Sequence, residues 1–63
     1  MDDKIVVKTY ESRFEADVDH RKLADENIES WIIDKKDSAY VMIGEVELYV
    51  SNGDLKRAAE ILN

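Results

Sequence analysis

The sequence predicts an α+β fold, a two-layer sandwich in the order βαββα with two helices on one face of a small mixed sheet. Three observations carry this reading. Val46, Leu48 and Val50 alternate with Glu45, Glu47 and Tyr49, which is the period-2 signature of a half-buried strand. Leu55, Ala58, Ala59 and Leu62 follow at i, i+3, i+4 and i+7, one face of a helix. A second helical segment, opening at Ser12, separates two earlier stretches rich in β-branched residues. Two helices can cover only one face of such a sheet.

The elements follow in order. Residues 4–10 read as a first strand, and the run Ile5, Val6, Val7 suits a central strand covered on both faces, or on one face and part of the other. Ser12 with Glu15 three residues on has capping-box spacing and opens a helix over residues 13–26. Phe14 and Val18 make one apolar pair on it. Ala16 and Leu23 lie on another flank with His20 between them. The pairs Asp17 with Arg21 and Lys22 with Glu26 have ion-pair spacing. Asn27 stands where a left-handed C-cap residue would, with Ile28 as the hydrophobic closure. Residues 30–34 form a short second strand and residues 35–38 a polar connection. Residues 39–43 extend or precede the third strand, with Gly44 marking a bulge or turn. Ser51 or Asp54 caps the last helix, residues 55–62. The arrangement is that of a ferredoxin-like unit without its last strand, with the first two strands parallel if they share the sheet.

Sixty-three residues allow one domain, residues 1–63, with one small core that buries roughly 60% of its unfolded surface. The chain has no cysteine and a single histidine, so no disulfide or metal staple is expected, and the remaining supports are packing or self-association. No apolar run approaches the ~18 residues of a membrane span, and the acidic N-terminus lacks a signal-peptide stretch. A cytoplasmic protein is expected. The net charge of −6 is spread evenly, each third of the chain being net −2. No basic face stands out, so neither nucleic acid nor an anionic membrane is an expected partner.

The residues Thr9-Tyr10, Ser12, Glu15-Ala16, Leu23, Ile28, then Gly44, Val46, Leu48, Val50, Arg57-Ala58 and Glu60-Ile61-Leu62 form a pattern over nearly the whole chain. It resembles a family of short bacterial βαββα domains assigned to prokaryotic signal transduction, similar in fold to the PII-like signalling proteins. The resemblance implies a regulatory domain without a catalytic motif and assigns no functional residue. This chain departs from the family pattern in having Asn27 and Ile43 where glycine is usual. It also has Asp19, His20 and Lys22 where apolar residues are common.

The candidate sites are few. His20 has a side chain that titrates near neutrality, but a half-packed helix residue explains it better than a general base. Ser12, Ser30, Ser38 and Ser51 lack the base and orienting partner that a nucleophile needs. Asp2-Asp3 and Asp17 with Asp19 lack a cation-binding loop and read as solvated surface. Ser51, Asn52, Gly53 and Lys56 open the last helix, where backbone N–H groups attract anions, although Asp54 competes for the same spot. The strongest group is aromatic. If Val46, Leu48 and Val50 face the helices, Tyr49 faces the other side, and Trp31, Ile33 and Tyr40 are its expected companions on a contact surface. No catalytic residue, cofactor or metal is expected. The leading expectation is a non-enzymatic interaction domain that self-associates or docks on a protein partner. The alternative is a PII-like sensor of an anionic metabolite or nucleotide, held near residues 51–54 or at Lys35 and Lys36.

Overall fold

The computed structural model describes residues 3–35 and 46–63. The chain is an α+β structure in which strand β1 (Lys4–Tyr10) leads to helix α1 (Arg13–Asp25) and then strand β2 (Ser30–Asp34). Strand β3 (Val46–Ser51) passes through a 3-10 turn (Asn52–Asp54) into helix α2 (Leu55–Leu62). Residues 39–45, with the expected bulge at Gly44, lie outside the described residues, as do Lys36, Ser38 and Tyr40.

Local sequence explains each boundary. The Glu15 amide donates to Ser12 Oγ at 3.3 Å, so Ser12 caps α1 as its position suggests. The helix ends in a Schellman motif. Asn27 takes φ 63°, its amide donates to Ala24 O, and the Ile28 amide donates to Leu23 O, both at 2.9 Å. Leu23 and Ile28, the flanking apolar pair, are both fully buried. Arg57 of α2 then donates from its guanidinium to Glu26 O at 3.3 Å, tying the second helix to the end of the first.

The sheet order is β1-β3-β2, and both ladders are antiparallel. The expected mixed sheet is therefore an antiparallel one: β1 and β2 run in the same direction, but β3 lies between them. The expectation that β1 is central is also corrected. It is an edge strand, and its pairing shifts register between Val6 and Lys8. A bulge at Val7 turns this residue toward the core, which accounts for three consecutive β-branched residues with no second covering layer among the described residues.

Val46, Leu48 and Val50 of β3 are fully buried against Ala16 and Leu23 of α1 and Ala58 of α2. The helices thus share one face of the sheet. In α2 the packed stripe is Leu55, Ala58, Ile61 and Leu62, while Ala59, expected in the stripe, is exposed. In α1 the flank with Ala16 and Leu23 is the one that packs. Phe14 remains 75% exposed and Val18 40%. Among the described residues, no helix is long and apolar enough to cross a membrane.

Candidate functional site

The face of the sheet away from the helices is organised by cross-strand register. Val6 pairs with Tyr49, and Tyr49 pairs in turn with Trp31, so one row crosses all three strands. The next row is Thr9, Glu47 and Ile33. Lys4 enters from the β1 side, its Nζ 4.5 Å from the centre of the Trp31 ring, within cation–π range. Tyr49 Oη donates to Glu47 Oε1 at 2.8 Å, and Lys35 Nζ reaches the same oxygen at 3.1 Å. The Tyr49 bond comes first among the causes that hold the Glu47 carboxyl below its ordinary range, against a smaller opposing effect of burial; Lys35 adds to the lowering. The same bond, with burial, pushes the Tyr49 phenol up.

Three of the four residues expected on a contact surface, Trp31, Ile33 and Tyr49, therefore lie together on this face, and Ile33 is 43% exposed. The fourth, Tyr40, lies outside the described residues. Val6 and Lys4 are the members that sequence reasoning missed. Alternation on β1 is broken by the bulge, so its outward residues could not be assigned from the pattern alone.

The other candidates take up structural positions. His20 Nδ1 lies 2.5 Å from Ser30 Oγ. Ser30 is buried and pairs with Val50 on the helix side of the sheet, so the bond ties α1 to β2 and its hydroxyl is not presented to a substrate. Asp19, expected as solvated surface, is only 8% exposed. The Tyr10 hydroxyl donates to its Oδ2 at 2.7 Å, and Lys8 and Lys22 approach its two oxygens at 3.5 and 3.7 Å. Burial, then the Asp19 hydrogen bond and charge, push the Tyr10 phenol well above its usual range. Lys22 thus meets Asp19 on α1, and Asp17 meets Arg13 at 3.6 Å; the expected partners were Glu26 and Arg21. Among the described residues, no group of three or more His, Cys, Asp or Glu side chains has a metal-binding arrangement.

At the tip, the Asn52 amide donates to Asp3 O at 2.6 Å, so the first N–H of the turn is taken within the chain. Ser51 and Asp54 stand at the N-cap positions of the turn and of α2, but neither side chain makes a capping hydrogen bond. The capping roles expected for them are position without bond. The chain matches no protein-family model, no curated protein and no solved structure.

Proposed function

We propose that this chain is a non-catalytic, ferredoxin-like interaction domain whose sheet face away from the helices, which no described element covers, joins a second copy of itself. The observation that carries the reading is the row Val6, Tyr49, Trp31, with Lys4 stacked over the tryptophan and Ile33 beside it. Aromatic residues at the centre of a patch dominate interface energetics. A row of this kind, covered by no described element, has most to gain from a matching surface.

Charge favours a second copy on this face. The chain as a whole is net −6, yet among the described residues the strand rows of this face and the adjoining Lys35 carry both signs, Lys4 and Lys35 beside Glu47. Mixed signs there lower the cost at which two acidic chains approach. Lys4 sits at one end of the strand rows, opposite Ser51, and Glu47 at the other. A two-fold axis across the strands would bring the Lys4 end of one copy over the Glu47 end of its partner, the self-complementarity an isologous contact requires. The face measures about 14 by 17 Å from strand spacing and rise, less than a standard interface, so the contact is weak and reversible. The core-and-turn resemblance to signalling domains points to a regulatory setting for such a contact.

Sedimentation equilibrium across a hundredfold concentration range tests the reading. The wild type should move from monomer toward dimer, and Trp31→Ala should stay monomeric with an unchanged circular dichroism spectrum. A wild type that remains monomeric at millimolar concentration and behaves like Trp31→Ala would overturn it.

A further inference from the structure

We infer that the groove between the free edge of β1 and helix α1 receives an extended, basic peptide segment of a partner protein, added to the sheet as a fourth strand. This surface adjoins the aromatic face at Thr9 but is otherwise lined by different residues, and it serves a different partner.

Three independent features meet there. The first is the strand edge. With the order β1-β3-β2, one side of β1 has no neighbouring strand among the described residues, so alternate N–H and C=O groups of a seven-residue strand point outward. Such an edge is a template for strand addition. The bulge at Val7 interrupts its first half, whereas residues 8–10 pair regularly with β3 and so offer a straight template.

The second feature is the wall opposite. A cavity of about 510 Å³ runs between residues 8–11 and the first half of α1. Phe14 and Val18, one turn apart, line it while exposed to 75% and 40%. They are the only large apolar side chains among the described residues of α1 that fail to enter the core. No residue of α2 lines the groove. An added strand would set alternate side chains against Phe14 and Val18, and these would supply the apolar anchor.

The third feature is charge, which selects the occupant. Glu11, Glu15 and Asp19 line the groove, with Lys8 as the one cation. Lys8 is turned to Asp19, and Glu11 and Glu15 form no ion pair among the described residues. The rim is therefore negative on a chain that is already net −6. This field repels a second copy and attracts a lysine- or arginine-bearing strand. Main-chain pairing supplies affinity in strand addition, and side-chain pockets supply selection. Here the selected pattern is basic residues alternating with apolar ones.

The test uses the full chain, labelled for amide NMR. It is titrated with seven-residue peptides that alternate lysine with valine or phenylalanine, and with the same peptides carrying glutamate in place of lysine. The lysine peptides should give saturable shifts confined to residues 8–11 and 14–19. The glutamate peptides should bind at least tenfold more weakly. Phe14→Ala should weaken the lysine peptides about tenfold while leaving the remaining resonances in place. Glu11→Gln with Glu15→Gln should flatten the salt dependence of binding. The inference is overturned if the lysine peptides produce no saturable shift at these residues, or if the glutamate peptides bind equally well. It is also overturned if these resonances move with protein concentration alone, because a second copy would then occupy the edge.

Discussion

A carboxylate in the middle of a helix face is ordinarily turned to water, and Asp19 shows what is needed to turn it inward. Its burial is offset by a hydroxyl and two ammonium groups, from Tyr10, Lys8 and Lys22. Removing one partner from a buried charge costs more than an average hydrogen bond, about 1.5–3 kcal/mol. Tyr10→Phe should therefore lower the free energy of unfolding measured in urea by an amount in that range. The pH dependence has a definite sign. The Tyr10 phenol is raised in the folded chain, so its contribution is present below the unfolded value of about 10 and is lost as pH rises above it. The stability gap between wild type and Tyr10→Phe should narrow from pH 9 to pH 11, and a constant gap would disprove the coupling. Glu47 has the opposite sign. Its carboxyl is lowered by Tyr49 and Lys35, so its contribution is present above pH 4.5 and is lost as pH falls through the lower folded value. Thermal midpoints of wild type and Glu47→Gln should accordingly converge on acidification.

At the scale of elements, the end of α1 offers the sharpest test. Asn27 holds φ 63°, a conformation glycine adopts freely and alanine does not. Asn27→Gly should be neutral or slightly stabilising, and Asn27→Ala should cost about 1 kcal/mol, read from chemical unfolding of both variants. Equal losses in the two would mean that the asparagine side chain, not the backbone angle, closes the helix. The existence and limits of β1, α1, β2 and α2 could be read from sequence because caps, periodicity and β-branched runs are local signals. What could not be read is non-local. Nothing within Ile5-Val6-Val7 distinguishes a doubly covered strand from a bulged edge, since only pairing with β3 decides it. Likewise Phe14 and Val18 have the spacing of a core stripe, and only packing of the Ala16 and Leu23 flank leaves them outside. The aromatic face was readable because strict alternation in β3 carries Tyr49 to the side opposite Val50, whereas the β1 groove depends on the strand order.

Over the whole molecule, the charge is unevenly presented although it is evenly spread along the chain. Among the described residues, the aromatic sheet face carries Lys4 and Lys35 beside Glu47, and the rim of the β1 groove carries Glu11 and Glu15. Salt should therefore act on the two surfaces in opposite directions. Self-association through Trp31 and Tyr49 buries apolar surface against the mutual repulsion of two chains of net −6. Shortening the screening length from about 10 Å at 0.1 M to about 3 Å at 1 M salt weakens that repulsion, so dimerisation should strengthen. Binding of a lysine peptide to the groove draws on attraction, so it should weaken over the same range. Thermal midpoints give an independent reading of the first effect, because an oligomer's stability rises with protein concentration. For the wild type this dependence should steepen as salt is raised, and for Trp31→Ala it should be absent at every salt concentration. If dimerisation instead weakened with salt, the contact would rest on ion pairs and the aromatic row would not be its centre. If both processes responded alike, a single surface would serve both partners, and the separation of the two faces would fail.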